Sequence, residues 1–203
     1  MPAAYRGTRG DAVDSEQLHE LANSGELYHY EDPEIMALQR TCCERLRLYN
    51  LTPETEEGAR ERTEMLQRML GTWSEDVCIL PPVHANWGLA HVHVGRGVFI
   101  NFDAKLVDDG DIFIGSDTML GPGVTIATAL HPESPELRRR KVQRNLPVHI
   151  GENVWIAADV TICPGVTIGD NSIVGAGSVV VRDIPANVVA MGVPARVVRA
   201  IDV

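Results

Sequence analysis

Between Val92 and Val180 the aliphatic residues fall on a period of six. Val94, Ile100 and Leu106 form one train. Ile114, Leu120 and Ile126 form a second, and Ile150, Ile156, Ile162, Ile168, Val174 and Val180 a third. A small residue often follows, as at Gly95, Gly115, Gly121, Gly151, Ala157, Gly169 and Gly175. Six is neither the period of an amphipathic helix nor that of a simple alternating strand. It suits a solenoid in which each unit gives one short strand and a corner, and three units close one triangular coil. The aliphatic residue points into the prism, and the small residue lets the backbone turn. Stacked coils then bury a continuous ladder of β-branched side chains. The pattern predicts a mainly β protein, a parallel β-helix.

Two interruptions punctuate it. Leu106 and Ile114 are two residues further apart than a hexad, and the excess falls in Asp108-Asp109-Gly110-Asp111. Ile126 and Ile150 are 24 apart, four hexads, so the phase survives. Residues 128–147 are nonetheless poor in aliphatics and contain Pro, Arg and His. They are expected to project as a loop from one corner and to rejoin near Val148. The hexad rhythm is imperfect in the opening coil, residues 83–93. Pro185 and Pro194 bracket an extended segment expected to close the far end.

Upstream the period changes. Residues 1–14 are polar and unpatterned, the composition of a flexible arm. Ser15 is placed to cap a short helix over residues 16–23, which Gly25 would stop. Asp32-Pro33-Glu34 opens a second helix, with Ile35, Leu38, Cys42, Leu46 and Tyr49 on one face. Thr52-Pro53-Glu54 opens a third, with Ala59, Leu66, Met69 and Leu70 apolar and Gly71 at its end. Three regions follow: the arm 1–14, a helical N-terminal domain 15–75, and a β-helix domain 76–203 carrying the excursion 128–147.

Composition narrows the function. The 203 residues carry a formal charge of −10, which disfavours a nucleic-acid partner. No apolar run reaches membrane-spanning length, so no membrane partner is expected. The cysteines, Cys42, Cys43, Cys78 and Cys163, contain no CxxC pair. With no signal-peptide pattern visible, a reducing, cytoplasmic setting is expected. Among seven histidines His131 stands out, opening the excursion in Ala127-Thr128-Ala129-Leu130-His131-Pro132. An imidazole can take up and return a hydroxyl proton near neutral pH. His91, His93 and His149 raise a zinc reading, but zinc needs three converging ligands and no third ligand is evident at a matching corner. Arg138, Arg139, Arg140, Lys141 and Arg144, and again Arg182, Arg196 and Arg199, are basic clusters in an acidic chain. Asp103, Asp108, Asp109 and Asp111 read as a solvated acidic turn rather than a metal loop.

Longer motifs carry a resemblance. Gly25-Glu26-Leu27-Tyr28 with Asp32-Pro33-Glu34, Asn101-Phe102-Asp103 and Thr128-Ala129-Leu130-His131-Pro132 come first. Pro147 to Ile156, Pro164 to Asn171, Asp183 to Val189 and Gly192-Val193-Pro194-Ala195-Arg196 follow. Together, from about residue 20 to the end, they resemble the maltose and galactoside O-acetyltransferases of the hexapeptide-repeat acyltransferases. The resemblance implies a left-handed β-helix and a homotrimer. It implies direct acetyl transfer from acetyl-CoA, bound between prisms, to a hydroxyl of a sugar or related small molecule, with no resident metal. It makes His131 the general base and a backbone N–H near Ala158 the oxyanion donor. Asn101, Asp109, Asn86 and Tyr30 fall at acceptor positions. Trp155 falls beside the pantetheine arm, and Arg182, Arg196 and Arg199 near the adenosine and phosphate end.

The chain also departs from the family. Trp87-Gly88 replaces a Tyr-Gly pair, and one residue is added between Gly88 and Gly95. Asn86 stands for a serine, Phe99 for a tyrosine, Tyr30 for an aspartate, and Leu130 for a Thr or Gly. These changes reshape the acceptor pocket and leave a non-sugar or amine acceptor open. A γ-class zinc hydratase, which shares this fold, and an inactive structural trimer are the other classes in view.

Overall fold

The computed structural model describes residues 15–31 and 33–202. The arm 1–14 and the capping role expected of Asp32 lie outside them. Within them the hexads build a left-handed parallel β-helix with three faces. Face one holds Val92–Val94, Ile112–Ile114, Val148–Ile150 and Thr167–Ile168. Face two begins at Cys78–Ile79 and runs through Phe99–Ile100, Met119–Leu120, Trp155–Ile156 and Ile173–Val174. Val188–Gly192 extends it in parallel, and Ala195–Ala200 folds back antiparallel, closing the end as the two prolines suggested. Face three holds Val83–Ala85, Ala104–Val107, Thr125–Ala127, Thr161–Ile162 and Val179–Val180.

The ladder residues stack in register. Ile100, Leu120, Ile156 and Val174 are at most 1% exposed, as are Leu106, Ile126, Ile162 and Val180. The residue two positions earlier also points inward: Val98, Val124, Val154 and Val160 are fully buried. Each hexad therefore contributes two inward side chains, because strand residues alternate between faces. The small residue after the rung is required by the next coil. A Cβ on Gly115 would sit 2.5 Å from the carbonyl carbon of Gly151. At the corner from face one to face two, Asp117, Asn153, Asn171 and Asn187 adopt left-handed backbone, with φ between 52° and 59°. Asn153 Nδ2 donates to Asn171 Oδ1 at 2.9 Å, and Asn171 Nδ2 to Asn187 Oδ1 at 2.8 Å. The side chains that tolerate the turn also tie successive turns together.

The helical segment rests on the first coils. Helix α1 spans Ser15–Asn23, α2 Pro33–Asn50 and α3 Glu56–Met69. Gly25, with φ 72°, follows α1. Ile35, Leu46 and Tyr49 of α2 are buried, and Leu46, Tyr49, Leu66 and Met69 share one core with the β-helix ladder. Two readings shift. Leu38 and Ala59 are exposed rather than on the packed face. Helix α3 is capped by Thr55, whose side chain accepts from Gly58 N at 3.1 Å, three residues after the expected Thr52. Thr52 instead donates its hydroxyl to Tyr49 O at the end of α2.

The excursion is ordered structure rather than a plain loop. Ala129–Leu130 pairs antiparallel with Val142–Asn145, and the helix α4, Pro135–Arg139, spans the tip. Tyr28–His29 from the N-terminal segment adds to the other edge, Tyr28 opposite Gln143. The result is a three-stranded sheet attached to the prism. The rung model predicts that Ile156→Ala lowers unfolding free energy by about 2–5 kcal/mol. Substitution of the exposed Glu152 by Ala should stay within about 0.5 kcal/mol. Denaturant midpoints of the two variants check this.

Candidate functional site

All extra residues leave the prism at one corner, between faces three and one. In successive coils the rung-to-rung step there is Ala85 to Val94, Leu106 to Ile114, Ile126 to Ile150 and Ile162 to Ile168. Only the last is a plain hexad. The three insertions stack on one another and are stitched by side chain to backbone bonds. Thr128 Oγ1 donates to Val107 O at 2.7 Å and accepts from Gly110 N at 2.8 Å. Asn145 Nδ2 lies 2.9 Å from Asp109 O and 3.0 Å from Ala22 O of α1.

The acidic turn in the middle insertion is not solvated. Asp108, Asp109 and Asp111 are 0%, 8% and 9% exposed, and only Asp103 remains at the surface, 3.7 Å from His84. Asp108 lies under the first insertion. Its two oxygens accept from Trp87 N at 2.7 Å and Leu89 N at 3.0 Å. Leu89 is fully buried with a left-handed backbone, φ 75°, a conformation that costs free energy for a leucine. Asp108 therefore holds a strained turn in place. Burial pushes its carboxyl up to about 7, against the pull of the backbone donors. His91 Nδ1–H donates to Asp108 O at 2.7 Å, and burial pushes this imidazole below its ordinary value.

Above this floor is a recess of about 220 Å³ lined by Tyr28, Tyr30, Ile35, Gln39, Asn86, Trp87, Asp109, His131 and Gln143. Asn86 Nδ2 donates to Asp109 Oδ2 at 2.7 Å, and Gln143 Nε2 approaches Oδ1 at 3.4 Å. Tyr28 OH accepts from Gln143 at 2.6 Å and Asn145 at 2.9 Å, and burial raises its pKa. His131 stands exposed at the rim on the excursion. Tyr30 meets it edge-on, with ring centroids 5.5 Å apart. The recess thus offers a carboxylate and two amides as hydrogen-bonding groups, aromatic and aliphatic walls, and one exposed imidazole. That set can orient a small polyhydroxylated molecule and remove a proton from it.

Of the residues singled out in the sequence, His131, Asp109, Asn86 and Tyr30 meet here. Asn101 does not. It lies after a face-two strand, where its Oδ1 accepts from Phe102 N at 2.9 Å. Trp155 is 49% exposed on face two, between Met119 and Ile173 in register. Ala158 lies on the turn after that strand, its carbonyl accepting from Gly177 N at 2.9 Å. Arg182, Arg196 and Arg199 are exposed near the C-terminal end of the prism. The histidine trio of the zinc reading does not converge. Phe113 lies between His93 and His149, stacked on each at 4.7 Å, while His91 is buried against Asp108. Tyr28, Gln143 and Asn145 were not singled out for chemistry. The two amides at i and i+2 were the available signal, since that spacing puts both on one face of a strand.

Comparisons with known proteins agree with this architecture. The maltose acetyltransferase hexapeptide capping motif matches residues 22–74, and the bacterial transferase hexapeptide motif matches residues 147–182. A galactoside O-acetyltransferase of Lactococcus lactis is 45% identical over 186 residues, 92% of this chain and 89% of that protein. The crystal structure of a maltose O-acetyltransferase from Clostridium difficile superposes with a TM-score of 0.87 at 38% identity, covering 92% of this chain and 98% of that one. A galactoside acetyltransferase in complex with coenzyme A gives 0.85 at 37% identity, covering 91% of each chain.

A carboxyl whose pKa rises on folding favours the folded state fully below its ordinary value near 4, and that contribution is lost as pH rises through about 7. Asp108→Asn removes the titration. Between pH 4 and pH 8 the wild-type chain should therefore lose more stability than the variant, by up to on the order of 4 kcal/mol. Unfolding curves at the two pH values measure it. Equal losses would show that Asp108 does not titrate there.

Proposed function

The chain belongs to the hexapeptide-repeat sugar O-acetyltransferases, and from that premise we propose how its residues move an acetyl group from acetyl-CoA to a hydroxyl of a sugar or related small alcohol. The observation that carries the reading is the exposed His131 imidazole at the rim of a recess walled by Asn86, Asp109 and Gln143. His131 takes the proton of the attacking hydroxyl. Asp109, braced by Asn86 and Gln143, accepts a hydrogen bond from a neighbouring hydroxyl and fixes which oxygen faces His131. Tyr30 and Trp87 supply flat apolar surface for the carbon skeleton of the acceptor.

The thioester of acetyl-CoA supplies the activated acetyl carbon: its C–S bond would break as the new C–O bond forms, and coenzyme A would leave as a thiolate that takes the proton from His131. The residues present fit such a donor. Met119 and Trp155, 48% and 49% exposed, make an apolar strip on face two, suited to an alkyl amide arm. Arg182, Arg196 and Arg199, all exposed at the C-terminal end, would meet the donor's phosphates. The backbone N–H of Ala158 would answer the negative charge that grows on the acetyl oxygen.

Asn101 and Trp155 lie outside the recess of one chain, and face two exposes Met119 and Trp155, with Phe102 exposed at the corner that follows it. Both observations support a homotrimer in which one prism's recess is completed by the next prism. In this reading the helical domain 15–75 caps the acyltransferase domain 76–203. The enzyme works in the cytoplasm, where its four free cysteines stay reduced. Among the described residues no helix is long and apolar enough to cross a membrane.

Thiol release from acetyl-CoA across a panel of sugars, other alcohols and amines tests the reading. His131→Ala should lower kcat by about 10²–10⁴-fold with little change in acetyl-CoA binding. Arg199→Ala should raise the KM for acetyl-CoA severalfold and leave kcat nearly intact. Release that persists in His131→Ala would remove the general base. Release with amines alone would replace the hydroxyl acceptor. Light scattering should give three times the 22.2 kDa chain mass, and a monomer that turns over would overturn the shared site.

A further inference from the structure

Outside the recess, His19 of α1, His93 of face one and Asp111 of the middle insertion come together. His19 Nε2 lies 2.8 Å from Asp111 Oδ1, and His93 Nε2 lies 3.1 Å from the same oxygen. The three donor atoms all fall within 4.8 Å of one another. We propose that this trio is a binding site for a divalent transition-metal ion of the zinc class, which staples helix α1 to the β-helix.

Geometry comes first. Zinc bonds to imidazole nitrogen and carboxylate oxygen are about 2.0–2.2 Å, so donors around one tetrahedral ion stand roughly 3.3 Å apart. The observed spacings need only small side-chain adjustments to enclose an ion. The ligands are also held in place. His93 is stacked on Phe113 at 4.7 Å, and Gly71 fits against its edge, where a Cβ would lie 2.7 Å from Cε1. The Asp111 N–H donates to Asn23 Oδ1 at 2.8 Å, and its carbonyl accepts from Val148 N at 3.1 Å. Such supporting contacts orient ligands and raise affinity.

The donor set indicates the ion. Two imidazoles and one carboxylate favour zinc, cobalt or nickel over magnesium and calcium, which prefer oxygen ligands alone. Three protein ligands leave a position for water, and His19, 40% exposed at its side chain, gives a route in. The role follows from the elements joined. Helix α1 has nine residues, too few to hold its form unaided. Its Ala22 carbonyl meets Asn145 on the wall side of the recess. An ion shared by His19, His93 and Asp111 would fix that helix to two separate parts of the prism.

Full-length protein stripped with a chelator would be titrated with Co²⁺ and followed by visible absorption, then with Zn²⁺ by calorimetry. The site predicts one equivalent per chain and displacement of Co²⁺ by Zn²⁺. It also predicts a rise in Tm of about 5 °C at a hundredfold excess over Kd, and no response to Mg²⁺. His19→Ala alters a half-exposed side chain, so the fold should survive, as circular dichroism would verify. It should weaken binding by more than about 100-fold, and Asp111→Asn should do the same. Absence of stoichiometric binding would overturn the proposal and leave His19–Asp111–His93 as a hydrogen-bonded clasp. Binding of undiminished affinity in His19→Ala would also overturn it, by placing the ion elsewhere.

Discussion

Each coil must return to the strand it left, one strand spacing higher and in register. Backbone bonds enforce this. Gly115 N donates to Ile150 O, and Gly151 N to Ile168 O, each at 2.8 Å. Parallel strands allow no slip without moving every inward residue to the outside. The interior is filled by rungs of Val, Ile and Leu, so it has no room for chemistry. Residues beyond the period can leave only at a corner, and in this chain they leave at one corner three times in succession. The recess is what those insertions enclose together with the N-terminal segment that supplies Tyr28, Tyr30, Ile35 and Gln39.

That corner concentrates negative charge in a way a free surface would not. Three aspartates lie buried within four residues, and each is answered by donors brought in from outside the turn. Asp108 takes two backbone N–H groups from the coil before, Asp109 takes amides from the first insertion and the excursion, and Asp111 takes two imidazoles. Buried carboxylates persist only when so answered. Asn86 and Gln143 thus brace the corner as well as line the recess, and the buried Asn145 only braces it. A change among them would disturb the floor and the wall together.

The repeat was legible because each rung reports its own burial in a single residue, so Ile150 to Val180 could be placed without knowing any partner. The corner was harder. Whether Asp108 is solvated depends on Trp87 and Leu89, which sit one coil away and carry no mark of that role. The excursion read as a loop because its pairing partner, Tyr28, lies far upstream. Once Gln143 is opposite Tyr28, the alternation of buried and exposed residues at Gln143, Arg144 and Asn145 is that of a strand. His131 was singled out through the resemblance and its place at the start of the excursion, and the structure puts it at the rim of the recess. Its neighbours Tyr28 and Gln143 required the fold. Asn101 and Trp155 were legible as family positions, yet one prism keeps them apart from the recess.

The same geometry divides the molecule by contact order. Rungs such as Ile79, Ile100, Leu120, and then Ile156 and Val174, pair with partners a single coil or so away in sequence. Such a stack can grow by short loop closures, each new coil templated by the last. The recess cannot grow that way, because Tyr28 and Gln143 are separated by 115 residues. Bringing those two residues together closes a far longer loop than any single coil-to-coil step, at a greater cost in chain entropy. The recess therefore rests on some of the longest-range contacts among the described residues, while the prism beneath it is built from short-range ones.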